Sequence, residues 1–230
     1  MTIPRTQETE VMDTEEEARD YDAMDHSAVN AAFCDDLLAF RAAPSRVLDV
    51  GTGTALIPIE LCARSKTVRV EALDLAEHML AVGRRNVARA QLDDRLRLHH
   101  VDAKHTAFAE GTFDLVMSNS IVHHIPNPAD VLYEALRLTT RGGALFVRDL
   151  ARPDTAARVD QLVDLYAPRS TSTDASIVAM HYRQRTLFAA SLHAAHRVEE
   201  VRAMVAPLGI PSDAVRMTSD RHWTLAYAKP

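Results

Sequence analysis

Val47-Leu48-Asp49-Val50-Gly51-Thr52-Gly53-Thr54-Ala55 is the stretch that decides how this chain reads. Val47, Leu48 and Val50 form an apolar run after the Pro44-Ser45 break, two glycines follow, and Leu56, Ile57, Ile59 and Leu61 continue at helical spacing. The pattern predicts a strand, a tight loop and a helix. Pro58 suits the first turn of that helix, where a missing N–H does no harm, and Gly51 and Gly53 let the backbone turn sharply and approach a ligand. A small ligand on the loop is the functional expectation; the strand-to-helix turn of any α/β protein would look the same.

The type of ligand follows from two residues. A dinucleotide fingerprint requires a third glycine where this chain has Leu56. Asp49 ends the strand beside the ligand, where a carboxylate repels a pyrophosphate but suits an ammonium or sulfonium. S-adenosylmethionine is a ligand of that kind. About 20 residues on, the strand read over 67–73 ends at Asp74, positioned to accept both hydrogen bonds of a ribose diol.

With its acidic residue followed by Gly-x-Gly, this stretch resembles the first motif of the class I S-adenosylmethionine-dependent methyltransferases, with Ala55 at the third glycine of the motif. The resemblance extends over about 45–150 and implies an α/β, Rossmann-like doubly wound sheet. Seven mostly parallel strands, a C-terminal antiparallel hairpin, helices on both faces and a helical cap belong to that expectation. It also implies a cofactor site of Asp49, Gly51, Gly53, Thr54, Asp74 and Leu75, with Asp102 on the adenine amino group and the N–H of Ala103 on the ring. A cover over 13–40 would bring Tyr21, Asp22, His26 and Asn30 toward the ligand; a capping cluster on an exposed helix would also explain them.

After the helix read over 76–90 and the third strand over 95–101, residues 113–120 form a fourth strand leading to Ile121-Val122-His123-His124-Ile125-Pro126. Ligands in open α/β sheets bind at the carboxyl ends of the strands, which directs Asn119, His123 and His124 toward the transferred methyl group. Sulfonium transfer needs chiefly alignment. If the acceptor must lose a proton, histidine has a suitable pKa, with His124 the first choice as base and His123 the second.

A helix over 128–140 is expected to be capped by Gly142-Gly143, then a fifth strand over 144–147 ends in Arg148-Asp149. Arg148 is a candidate anchor for an anionic acceptor, an ion pair with Asp149 being the alternative. Residues 154–196 exceed an ordinary crossover and read as a cap. One apolar stripe holds Val159, Leu162, Val163 and Tyr166, another Ile177, Met180, Phe188 and Leu192, with His181 and Gln184 on the latter as substrate candidates beside His26. A last helix over 198–208 and two strands around Ser219-Asp220-Arg221 complete a single domain over 1–230. Its parts are the cover at 13–40, the core at 45–150, the cap at 154–196, and the closing helix and hairpin at 197–230.

Residues 1–12 lack apolar periodicity and read as a loose tail without chemistry. Cys34 and Cys62 fall among apolar residues and are assigned to packing. His99, His100 and His105 match no zinc spacing, so no metal is expected. A net charge of -6 disfavours nucleic acid, and no apolar stretch is long enough to span a bilayer, so the expectation is a cytoplasmic enzyme with a small-molecule acceptor. Another adenosylmethionine-using reaction on the same fold, or a cofactor-holding regulatory module, are the rival readings. A nicotinamide oxidoreductase ranks third because of Asp49 and Leu56.

Overall fold

The apolar run before the glycine loop forms β1 (Arg46–Val50) and the residues after it form α3 (Leu56–Arg64) in a computed structural model that describes residues 2–8, 11 and 13–230. Ahead of them lie α1 (Glu15–Asp22) and α2 (Ser27–Phe40); behind them come β2 (Arg69–Asp74), α4 (Glu77–Arg89), β3 (Leu96–His100) and β4 (Phe113–Asn119). α5 (Pro128–Leu138) and β5 (Thr139–Leu150) follow, then α6 (Ala156–Tyr166), α7 (Ala175–Ala194) and α8 (Val198–Val205), and finally β6 (Val215–Met217) and β7 (His222–Ala228).

The strands form one seven-stranded sheet in the order β3-β2-β1-β4-β5-β7-β6. β1 is parallel to both neighbours, with Asp49 opposite Ala72 of β2 and Met117 of β4. Winding proceeds outward from β1 in one direction through β2 and β3, then returns to β4 and β5. The switch point therefore falls between β1 and β4, where ligands of doubly wound sheets bind. The closing strand runs against β5: Gly142 N donates to Lys229 O, Lys229 N to Gly143 O, and Ala151 N to Arg221 O. This is the expected sheet, hairpin included.

The chain divides into two compact units. The larger comprises Val11–Ile121, Asn127–Val147 and Leu225–Pro230. Its strands bury nearly continuous apolar runs, as parallel strands covered on both faces must; Phe113, Leu115, Val116 and Met117 of β4 are all buried. Phe33 and Leu37 of α2 join Leu61, Val70, Leu115 and Phe146 in one core, with Phe33 edge-on to Phe146 at 5.3 Å between ring centroids. Each such side chain contributes about 1.5–3 kcal/mol by leaving water. A capping box between Thr14 and Glu17 starts α1, which packs Ala18 against Met79 and Val82 of α4.

The smaller unit comprises the described residues before Val11, Val122–Pro126 and Arg148–Thr224. Its core holds Leu150, Val159, Leu162, Val163, Leu192 and Ala195, with Ile3 and Phe188 packed against it. Asp174 caps α7, and Arg185 ties α7 back to α6 through Asp164 at 2.6 Å.

Four expectations need correction. Gly142-Gly143 do not cap α5, which ends at Leu138; they lie inside a strand that begins at Thr139. The backbone bonds to Lys229 hold this segment in the ladder, and Gly143 is required there because a Cβ would come within 2.8 Å of Thr140 O and 3.0 Å of Asp114 O. Arg148 and Asp149 accordingly lie within β5 rather than past its end. The stripe on α7 is buried only toward its C-terminal part: Leu192 is buried and Phe188 packs on the core, while Ile177 is 40% exposed. The tail is also not loose where it is described. Ile3 N donates to Asp154 O and Thr6 N to His193 O, so residues 3–8 form a strap on the smaller unit.

Candidate functional site

In the larger unit the glycine loop is built onto the end of β2. Gly51 N and Thr52 N both donate to Leu73 O, at 2.9 and 3.0 Å. The loop then turns through left-handed conformations at Gly51, Gly53 and Ala55, with φ of 74°, 55° and 65°. The space a side chain on Gly51 would need is filled by Ile121, whose Cγ2 would lie 2.1 Å from its Cβ. Gly53 is more open; a Cβ there would meet only Tyr21, at 3.9 Å. Asn86 of α4 fastens the end of the loop, donating to Thr54 O and to Asp22 Oδ1 at 3.1 and 2.8 Å.

Two carboxyl groups face this loop. Asp74 accepts from Gly53 N at 2.7 Å and from Ala76 N at 2.9 Å, one bond to each oxygen, which leaves each oxygen a further lone pair. Burial raises its pKa despite those bonds. Asp49 is 3% exposed, and burial, with the nearby Asp74 charge adding to it, pushes its pKa up to about 7. The Thr52 hydroxyl reaches Asp49 and opposes that rise, whereas the Thr54 hydroxyl is buried with no hydrogen-bond partner. Tyr21 is 36% exposed as a whole, yet its phenol pKa is raised, first by desolvation and then by the Asp74 and Asp49 charges, which places its hydroxyl end near them. His26 packs on the Tyr21 ring at 4.5 Å and its Nε2 lies 3.1 Å from Tyr21 O.

This donor set fits S-adenosylmethionine. A buried carboxyl whose ionisation is suppressed by burial gains most from a nearby cation. Asp74 is held by backbone donors in an orientation that spares acceptors for a diol, and an unpartnered hydroxyl in a ligand loop is a hydrogen-bonding group awaiting its partner. Leu75 is 36% exposed beyond Asp74. Asp102 caps its own turn, accepting from Lys104 N at 2.9 Å, with Ala103 half-buried beside it; Asn119 is half-buried at the end of β4.

The second cluster lies in the smaller unit, on a 3₁₀ turn over Val122–His124. His123 is 2% exposed, and its Nδ1 lies 2.5 Å from Asp149 Oδ1 while its backbone N–H donates to Asp149 Oδ2 at 3.1 Å. Asp149 thus fixes Nδ1 as the protonated nitrogen and directs the Nε2 lone pair the other way. Nε2 faces Glu8 Oε2 at 3.7 Å, and His124 Nδ1 lies 3.5 Å from the same oxygen. Burial alone would lower the His123 pKa, but the Asp149 charge and hydrogen bond outweigh it and raise it. Burial raises that of Glu8. The strap that delivers Glu8 is pinned to the turn itself: Arg5 Nη2 donates to His123 O at 2.9 Å and Gln7 Nε2 to His124 O at 2.7 Å.

Asp149 therefore pairs with His123 and not with Arg148, as the ion-pair alternative had it. Arg148 is 8% exposed and donates from Nε to Thr224 Oγ1 at 3.0 Å. His181 and Gln184 are both half-buried on α7. Glu8 was missed by the sequence reading; a lone carboxylate in an aperiodic segment carries no local signal, and only tertiary hydrogen bonds bring it to the histidines.

An open parallel sheet with an acidic residue and a Gly-x-Gly loop at its switch point, and a second carboxylate ending the next strand, is the arrangement of the class I methyltransferases. Residues 48–147 match the model of the methyltransferase domain family. Among curated proteins, demethylmenaquinone methyltransferase of Porphyromonas gingivalis is 33% identical over 112 residues, 48% of this chain and 46% of that protein. Ubiquinone/menaquinone biosynthesis C-methyltransferase UbiE of Roseobacter denitrificans is 33% identical over 132 residues, 57% and 52% of the two chains. The chain spans about half the length of these relatives. Among solved structures, a SAM-dependent methyltransferase from Aquifex aeolicus aligns over 93% of this chain and 97% of its own, with a TM-score of 0.64 and 15% identity. The [4+2]-cyclase SpnF aligns over 87% and 80%, with a TM-score of 0.55 and 17% identity. Both likenesses are of fold.

Proposed function

We propose that this protein is an S-adenosylmethionine-dependent methyltransferase acting on a small molecule. The observation that carries the reading is the pair of carboxyl groups on the glycine loop: Asp49, its ionisation held back by burial, for the sulfonium or ammonium, and Asp74, braced by Gly53 N, for the ribose. Tyr21, Thr54 and Leu75 complete this end of the cofactor, with Asp102 and Ala103 toward its adenine and Asn119 toward its methyl end. The sulfonium supplies an activated methyl group with a neutral leaving group. The protein's own work is to hold the cofactor, keep water away and align the acceptor.

An acceptor that must lose a proton would give it to His124, with His123 the second choice. His123 is the more enclosed, its Nδ1 side taken by Asp149. Arg148, His181, Gln184 and His26 are assigned to the acceptor. A small molecule is favoured over nucleic acid by the net charge of -6, which is the wrong sign for phosphate neutralisation. Among the described residues no helix is long and apolar enough to cross a membrane. We place the protein in the cytoplasm.

Calorimetric titration with S-adenosylmethionine tests the cofactor assignment. Asp74→Ala removes the ribose acceptor and is expected to weaken binding by about 1.5–3 kcal/mol, about 10- to 100-fold. Unchanged affinity in a folded variant would remove the assignment. A second reading, a different reaction on the same fold, is favoured by the likeness to a cyclase. Product analysis separates the two, since only methyl transfer yields S-adenosylhomocysteine.

A further inference from the structure

Glu8, His123 and His124 bring three potential ligand atoms within 4.8 Å of one another. Two of these atoms, Glu8 Oε2 and His123 Nε2, are fully buried and have no hydrogen-bond partner. Orphaned polar atoms on a carboxylate and an imidazole that face each other at 3.7 Å cost free energy unless something lies between them. The surroundings are built to hold these groups in place. Ser191 Oγ donates to Glu8 Oε1 at 3.2 Å, turning Oε2 toward the histidines. Asp149 accepts from both the ring and the backbone N–H of His123, the outer partner that metal-binding imidazoles nearly always have. The strap is fixed across the turn by Arg5 and Gln7.

We propose that Glu8 Oε2, His123 Nε2 and His124 Nδ1 form a binding site for a divalent transition-metal ion of the Zn²⁺ or Fe²⁺ class. Two imidazoles and one carboxylate are a recurrent three-ligand set for such ions, with positions left open for an exogenous oxygen donor. Ligand distances of about 2.0–2.2 Å require the three atoms to draw together by up to about 1 Å. The His124 ring is the more exposed of the two imidazoles, so the adjustment falls to it. The open positions suit an acceptor bearing a hydroxyl, enol or carboxylate oxygen, which the ion would polarise; this last step rests on the methyl-transfer reading, whereas ion binding does not. The lone pairs that hold the ion are those that would otherwise take a proton, so metal and base roles for His124 exclude each other.

The test uses tag-free full-length protein stripped with chelator, titrated with Zn²⁺ by calorimetry and with Co²⁺ by visible absorption, without S-adenosylmethionine. The expected result is one equivalent bound at micromolar affinity or tighter, with a Co²⁺ spectrum of low coordination number. His124→Ala, at a part-exposed position, should weaken binding at least 100-fold, and Glu8→Gln likewise. Asp149→Asn should weaken it 10- to 100-fold through the His123 ring. His99→Ala, on β3, should leave it unchanged. Absence of a one-equivalent site, or equal affinity in wild type and His124→Ala, overturns the proposal. Because S-adenosylmethionine affinity is measured separately, a failed metal site and a failed cofactor site give different results.

Discussion

Replacing Asp49 by Asn separates a carboxylate kept for a ligand from one kept for the fold. The pKa rises from 3.8 to about 7, a change of about three units at 1.36 kcal/mol each. A raised carboxyl pKa means that the folded chain holds the proton more tightly than the unfolded chain. The contribution of Asp49 to the stability of the ligand-free protein is therefore most favourable below pH 4, falls between about pH 4 and 7, and is flat above that, for a total cost of about 4 kcal/mol from this one group. Asn has nearly the same shape and no charge to bury. After allowing about 1–3 kcal/mol for an imperfectly paired amide, Asp49→Asn should stabilise the ligand-free protein by about 1–3 kcal/mol at pH 8. The same change removes the partner of the cation and should weaken S-adenosylmethionine binding about 10- to 100-fold. Urea denaturation at pH 5 and pH 8, with calorimetry at pH 8, measures both effects. A variant less stable than wild type at pH 8, or one with undiminished cofactor affinity, would refute the reasoning.

Wild-type cofactor binding should release protons as the cation drives Asp49 to ionise. About half a proton per cofactor is expected at pH 7 and close to one at pH 6, read from calorimetry in buffers of different ionisation enthalpy; no buffer dependence would contradict it. Gly51→Ala should destabilise by about 2–4 kcal/mol, since it adds both a left-handed alanine and a clash with Ile121; Gly142→Ala, with a φ of 73° but nothing within 4 Å, should cost only about 1 kcal/mol. Thermal melts of the two variants check the difference. If His124 acts as a base in metal-free protein, His124→Ala should slow methyl transfer about 100-fold and leave cofactor affinity unaltered, whereas a full rate would reject that role.

The parallel half of the sheet was legible because its signals are local. Val47 to Val50, the Gly-x-Gly loop and the helical spacing after it are contiguous, and the carboxylate at Asp74 follows at the spacing a nucleoside site requires. What failed depended on partners distant in sequence. Gly142-Gly143 carry the same local signal whether they cap a helix or sit in a strand, and Lys229 decides between them. Asp149 next to Arg148 suggested an ion pair, yet the fold turns the carboxylate to His123, 26 residues away. Glu8 is the extreme case, joined to His123 and His124 across more than 110 residues by a strap whose hydrogen bonds are mostly to backbone carbonyls. Such bonds leave no periodic trace in side-chain hydrophobicity. The α7 stripe was over-read for the opposite reason: its spacing is helical, but Ile177, Val178 and Tyr182 remain exposed.

The central claim, methyl transfer from S-adenosylmethionine to a small molecule, is tested most directly by incubating the protein with methyl-labelled cofactor and a cell extract, then separating low-molecular-weight, protein and nucleic-acid fractions. The account predicts label in the low-molecular-weight fraction as a new compound, formed together with S-adenosylhomocysteine and lost with Asp74→Ala. Label confined to protein or nucleic acid, or appearing equally with Asp74→Ala, would contradict it.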